Sequence, residues 1–380
     1  MVNTFLTEED QALKQQFEQF AKDKLAPLAS QLTSHEESSA ALLKQLGQAG
    51  YLALNVPIEY GGKGYSFLHL ILLAEILAHY QAGIAVHLAY HAATIELLKA
   101  YGSEQQKNIY LPKLAVGELL GTIAYLEEST GEKRSKIVRQ KERTVLDGSK
   151  ELVLLTQSKT SNPSSQNYLP NLVAVLADDN LVLLNNLSAS SIKINAQNNP
   201  MEPKSIYLSN LSFERHIFSQ GDILTSTKEI TDEAIIFARD IIKTVLAATA
   251  IGMADSALSQ TTDYVQRSQH DGKPLNQSQA VLWKLADASA DISAARLLTY
   301  RAAWSKEENK EAFSRYAAMA KAYAAKKANQ HIGEGLQILL PFLQMQYFDL
   351  TCFYIDSKIL ETFDATNEEE KVLLSKLLGI

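Results

Sequence analysis

The chain has 380 residues and 46% hydrophobic content, enough to bury a full core and to form two or three structural units. A formal net charge of -7 with no dense Lys/Arg tract offers phosphate backbones nothing to hold, which excludes nucleic acid as a partner. The start is acidic, and no later apolar run reaches the roughly 18 residues of a membrane span, so a cytoplasmic protein with neither leader nor span is expected.

Residues from about 7 to 118 read as helices. Leu13, Phe17, Phe20 and Leu25 form one stripe, and Leu42, Leu43 and Leu46 another. Ser103 with Gln106 has capping-box spacing before KNIYLPKLAVGEL. From about 119 to 222 the pattern shifts to short alternating or β-branched runs, GTIAYL, RTVLDGSKELVLL, NLVAVLADDNLVLL and SIYLSNLSFER, with turn pairs such as Asp147-Gly148 between them. The polar stretch 158–167 reads as a surface loop of this β unit. After about 228 the chain is helical to its end, with long Ala-rich runs interrupted near His270 to Pro274 and near Gly333 to Pro341. Such helices pack on one another and on partner chains.

Several chemistry-bearing patterns have a plainer explanation. Pro57 to Ser66, PIEYGGKGYS, is rich in glycine, but no strand precedes it and no GK[ST] follows, so a tight turn between helices is expected rather than a phosphate loop. His87 and His91 stand at i, i+4 without the glutamate of HExxH, which favours core packing over a metal. Glu127 and Glu128 follow a strand and are expected to face solvent. Cys352, in the apolar run LTCFYI, is expected to be buried rather than reactive. The stretch that stands out is Tyr354 to Leu374. Ile355, Ile359 and Leu360 recur at helical spacing, Asn367 can cap a following helix, and Asp364 falls in the break between. A break of this kind aims a side chain sideways, so Asp364 is a candidate base, against the alternative of a solvated loop acid.

The order of these units, with the words PIEYGGKGYSFLHLILLAEILA, AYGSEQQKNIYLPKLAVGELLGTIA, GKPLNQSQAVLWKLADA, ANQHIGEG and IDSKILETFDATNEE, resembles the acyl-CoA dehydrogenase family along nearly the whole chain. The resemblance implies an α+β, mainly α fold: an N-terminal helical domain (1–118), a central β-domain (119–222) and a C-terminal four-helix-type domain (223–380), assembled as a homodimer or homotetramer. It also implies oxidation of an acyl thioester, carried by CoA or by an acyl carrier protein, with FAD. Family members use a carboxylate to remove the α-proton while the flavin takes hydride from the β-carbon, chemistry no side chain supplies. The base position falls on Asp364, one methylene shorter than the family's glutamate. A base carried instead on a C-terminal helix would fall at Ile242, so no relocated base is evident.

The flavin motifs are less well preserved than the scaffold. The family's TEPxAGSD reads Leu126 to Lys133, which puts Leu126 and Glu132 where hydroxyls are expected. GxKxWIT reads Gly148 to Leu154, removing an aromatic shield and another hydroxyl. The arginine of RxQFG is shifted by one to Arg267, and Asp271 replaces the phenylalanine. What the resemblance leaves as cofactor-binding candidates is Arg267, Gln279, Gln330 and Gly333, with Thr366 and Glu368 beside the base. Glu334 breaks the QxxGG pattern. Two readings follow: a diverged FAD-dependent dehydrogenase with Asp364 as base, or a non-redox member acting as an acyl-thioester binder or as a structural subunit in a hetero-oligomer with a paralogue.

Overall fold

A computed structural model describes residues 5–29, 36–127, 134–140, 143–156, 170–196, 208–270, 272–339 and 348–379. By internal contacts the chain divides into two compact units, one of residues 1–34, 67–86 and 243–380, the other of residues 35–66 and 87–242. Glu128, Asp271, Glu132 and the 158–167 stretch lie outside the described residues.

The helices of the first segment are α1 (Glu8–Lys24), α2 (Ala26–Ala29), α3 (Glu36–Gln48), α4 (Phe67–Tyr80), α5 (Ala82–Tyr101) and α6 (Glu104–Ala115). α1 starts at a capping box in which Thr7 and Asp10 satisfy each other's backbone N–H groups, and it buries Leu13, Phe17 and Ala21. Ser103 and Gln106 form the expected box at the start of α6. Between α3 and α4 the glycine-rich segment is a tight turn, as its sequence context predicts. A Cβ on Gly62 would lie 1.9 Å from the Val56 carbonyl oxygen, so only glycine fits.

Two four-stranded sheets follow in the second unit. They are built from β1 (Leu120–Ala124), β2 (Lys136–Gln140), β3 (Arg143–Leu154), β4 (Asn171–Ala177), β5 (Asn180–Leu184), β6 (Ile192–Ala196), β7 (Leu208–Phe218) and β8 (Ile223–Thr225). One sheet has the order β1-β4-β5-β8 with β1 and β4 parallel; the other, β2-β3-β7-β6, is antiparallel where its pairs are registered. Leu146, Val153, Leu155, Val173, Val175, Val182, Leu211 and Phe213 form the core of this unit. Asp147-Gly148 is not the turn its sequence suggests: β3 runs through it, and the ladder absorbs the pair as an irregularity between Leu146 and Gly148.

The remaining helices are α7 (Lys228–Arg267), α8 (Gln279–Glu308), α9 (Lys310–Leu339), α10 (Phe348–Leu360) and α11 (Asn367–Leu377); a two-residue ribbon, β9 (Gln269–His270) with β10 (Lys273–Pro274), lies between α7 and α8. α9 is the central element of its unit, packed by α8, α10 and α11. Its buried positions, Phe313, Ala317, Ala320, Lys321, Ala324, Ala328, His331 and Gly335, recur every three or four residues, and small side chains let the neighbouring helices approach closely. Two residues of that set need a polar explanation for their burial: His331, which bonds Asp291 and Glu334, and Lys321 in the alanine stripe.

Candidate active site

The break between α10 and α11 spans residues 361–366. Asp364 is half-buried there, with a left-handed φ of 67°, a conformation that costs an ordinary L-residue about 1–2 kcal/mol and that Asp tolerates better than most. Thr366, rather than Asn367, caps α11. Its hydroxyl accepts from Glu369 N–H at 3.1 Å, and Glu369 returns a bond from the Thr366 N–H at 2.7 Å. The Asn367 N–H donates to the Glu361 carbonyl at 3.1 Å, closing the turn from the other side.

The lysine of the alanine stripe reaches this turn. Lys321 has no exposed surface; its ammonium donates to the Glu361 carbonyl at 3.2 Å and to the Ala365 carbonyl. Burial pulls its pKa down, opposed by the negative charges of Glu370, Asp364 and Glu361. Glu370, on the first turn of α11, is 1% exposed and lies 3.1 Å from the Lys243 ammonium of α7; burial pushes its carboxyl up, with Lys243 acting against that. Asp356 on α10 is also buried, which pushes its carboxyl to about 7. Asp364 thus stands at the edge of a buried charged cluster rather than on a solvated loop. Lys243, Lys321 and Glu370 were missed by sequence reasoning, although a lysine inside an alanine stripe is a signal a sequence can give.

The candidate cofactor residues fall in three places. Thr366 and Glu368 share the turn with Asp364; Thr366 serves as the cap, and Glu368 is exposed, 3.6 Å from Lys371. Arg267 is the last residue of α7 and Gln279 the first of α8, on either side of the ribbon. Arg267 is largely exposed and meets only Asp263, at 3.7 Å, among the ion pairs of the described residues, and Gln279 is exposed, so both present polar groups outward. Gln330 and Gly333 lie three positions apart on α9, the former nine residues and so roughly 13 Å along the helix from Lys321. The Gln330 amide donates to Glu334 at 3.2 Å, and Glu334 also meets His331 at 3.1 Å. A Cβ on Gly333 would lie 3.1 Å from the Tyr354 ring, so this glycine serves the approach of α10.

In the β unit, Glu127 is half-buried and paired rather than simply solvated as its sequence position suggests. Its carboxylate accepts from the wholly buried Lys150 ammonium and from the Ser135 N–H at 3.0 Å. The segment of Leu126 and Glu127 is joined to β3 by an isolated bridge, by this pair and by the Glu151 N–H to the Leu126 carbonyl at 3.0 Å. At the position of the expected aromatic shield, Leu152 sits in an irregularity of β3 with a left-handed φ of 53° and an exposed side chain; at the position of the expected hydroxyl, Leu154 is buried. His87 and His91 are both buried, which lowers each to about 4 and keeps them neutral, and His91 accepts from the Gly121 N–H at 3.1 Å. They are core histidines, and among the described residues no group of acids, histidines or cysteine is arranged to hold a metal. Cys352 is half-buried. No helix among the described residues is long and apolar enough to cross a membrane.

In chain order, helices precede and follow the strands of two small sheets, and a carboxylate stands at the break before the last helix. Residues 7–118 match the model of the acyl-CoA dehydrogenase N-terminal domain, and residues 241–375 that of the acyl-CoA dehydrogenase C-terminal domain. The chain belongs to the acyl-CoA dehydrogenase family. It is 25% identical to a probable acyl-CoA dehydrogenase of Bacillus subtilis (strain 168), over 99% of this chain and 100% of that one. It is 26% identical to the mitochondrial short-chain specific acyl-CoA dehydrogenase of Bos taurus, over 97% and 90% of the two chains. Among solved structures, butyryl-CoA dehydrogenase from Megasphaera elsdenii aligns with a TM-score of 0.84 at 24% identity over 99% of each chain. An acyl-CoA dehydrogenase from Bacillus anthracis, solved with FAD, aligns with a TM-score of 0.86 at 21% identity, over 98% of this chain and 67% of that one.

Proposed function

We propose that the chain dehydrogenates an acyl thioester of CoA or of an acyl carrier protein at its α,β carbons, with FAD, and that Asp364 is the base. The observation that carries this reading is Asp364 itself: an acid at the family's base position, held in a strained turn beside the buried Lys321 ammonium. Its carboxylate would accept the α-proton. A thioester α-proton becomes acidic only when the carbonyl is polarised by donors, and the base must be placed to within about an ångström, since such an error can cost a hundredfold in rate.

At the dinucleotide end the exposed Arg267 and Gln279 remain to hold the cofactor, while Asp271 adds a repelling carboxylate to the same motif. Arg267 would meet the pyrophosphate and Gln279 would donate to it, with Gln330 and Gly333 serving from the neighbouring subunit of a homodimer or homotetramer and Thr366 and Glu368 lying beside the base. Bound FAD would supply the acceptor for the hydride that leaves the β-carbon. The ring end is poorer in donors, because Leu126 and Leu154 stand where hydroxyls are expected, so weak retention of FAD is the expected outcome.

That same poverty favours a second reading, in which the chain has given up tight FAD and serves as an acyl-thioester binder or as a partner of a paralogue with intact motifs. The two separate in one experiment. Protein purified with added FAD is scanned for a bound flavin absorbance band and then mixed anaerobically with saturated acyl thioesters. The first reading expects a band that bleaches, and bleaching lost in Asp364→Asn with FAD still bound. A protein that never takes up FAD supports the second, and unchanged bleaching in Asp364→Asn removes Asp364 from the mechanism.

A further inference from the structure

The Glu361 and Ala365 carbonyls bracket Asp364, and both accept from one buried ammonium. Packing alone does not call for that ammonium. The position lies in a stripe of alanines, where an apolar side chain would fill the space without the cost of burying a charge. Around Lys321 stand Glu370 from α11, Lys243 from α7, and Glu361 and Asp364 from the turn. Lys243 and Glu370 face each other at 3.1 Å, and Glu370 also offsets the Lys321 charge, while the hydrogen bonds of Lys321 go to the turn. The Glu361 carbonyl is shared, accepting also from the Asn367 N–H, so one cation ties the end of α10 to the start of α11 across the residue of left-handed φ.

We propose that Lys321 is the positioning residue of the active-site turn, its ammonium drawing together the two carbonyls that flank Asp364 and so fixing the backbone from which that carboxyl is presented. This rests on the reading of Asp364 as base, and the test keeps the two apart. Full-length wild-type protein, Lys321→Met and Asp364→Asn are compared by two readouts. The first is amide hydrogen exchange at Asn367, measured without cofactor or substrate. The second, with FAD added, is uptake of solvent deuterium at the α-carbon of phenylacetyl-CoA, whose lack of β-hydrogens confines the reaction to proton transfer.

In Lys321→Met, Asn367 exchange should rise at least about tenfold, reflecting a loosened turn, and α-carbon exchange should fall about a hundredfold while the thioester dissociation constant stays as in wild type. Unchanged exchange at Asn367 would overturn the proposal. So would a loosened turn with full α-carbon exchange, because Lys321 would then be structural only. If Asp364→Asn exchanges deuterium like wild type, the assignment of the base fails, and the amide readout alone still decides whether Lys321 holds the turn. Should Lys321→Met fail to fold, Lys321→Gln, which keeps N–H donors without the charge, is read by the same criteria.

Discussion

Replacing Glu127 by leucine should cost the fold about 3–5 kcal/mol at pH 7, the range for removing one partner of a buried ion pair. Lys150 has no exposed surface, and Glu127 is the partner that its ammonium touches, so the variant leaves that buried cation only the charge of Asp178; the Ser135 N–H bond to the same carboxylate, worth about 1 kcal/mol, goes with it. Burial already pulls the Lys150 pKa down, with Glu127 opposing it, and removing Glu127 lets it fall further. Between that lowered value and the ordinary lysine range the unfolded chain binds more protons than the folded one, so the stability of Glu127→Leu should rise with pH there, relative to wild type. Urea unfolding of both proteins from pH 7 to pH 10 reads the effect. Glu127→Leu with Lys150→Met, which removes both charges, should recover most of the loss. A Glu127→Leu variant within about 1 kcal/mol of wild type at pH 7, or one whose deficit does not shrink toward pH 10, would show that Glu127 is not what compensates the Lys150 charge.

Arg296 on α8 bonds Glu75 of α4 at 2.8 Å and Asp255 of α7 at 3.0 Å; Arg296→Met should lose about 3–5 kcal/mol at pH 7 by urea unfolding, chiefly because Glu75 is left buried. Burial pushes Asp255 up, but the His79 hydrogen bond and the Arg296 charge outweigh it and hold the carboxyl at about 2. Its stabilisation is therefore complete above the ordinary Asp range and lost as pH falls through about 2, so the gap between Arg296→Met and wild type should narrow in acid; because Asp255 is 43% exposed, its own share is about 1 kcal/mol after solvent screening. Gly252 on α7 lies so close to α4 that a Cβ would stand 2.1 Å from the Glu75 carbonyl oxygen. Gly252→Ala should cost more than about 2 kcal/mol in the same assay, since backbone must move to admit the methyl group.

Much of this fold is written in local pattern. The 3.6-residue stripes of Leu13 and Phe17, the Ser103 cap and the alternating strands each report a local preference, and tertiary packing did not override them. Asp147-Gly148 misled because the same dipeptide that makes a two-residue turn also fits an irregular position inside a long strand. Asp364 stood out because a helix break can be read from periodicity and capping alone. Its surroundings did not, because Lys243, Lys321 and Glu370 lie on three different helices and meet only in the packed unit. The pairing of Glu127 with Lys150 was hidden in the same way, 23 residues apart across an isolated bridge.

The proposed function requires that Asp364 take the α-proton in a protein that still holds a flavin. Its most direct test is mass analysis of a saturated acyl thioester after one anaerobic turnover with the FAD-loaded protein. A product lighter by two hydrogens, formed by wild type and absent with Asp364→Asn, is the predicted result. A thioester returned unchanged by FAD-loaded wild-type protein, across short, long and branched acyl chains, would contradict it.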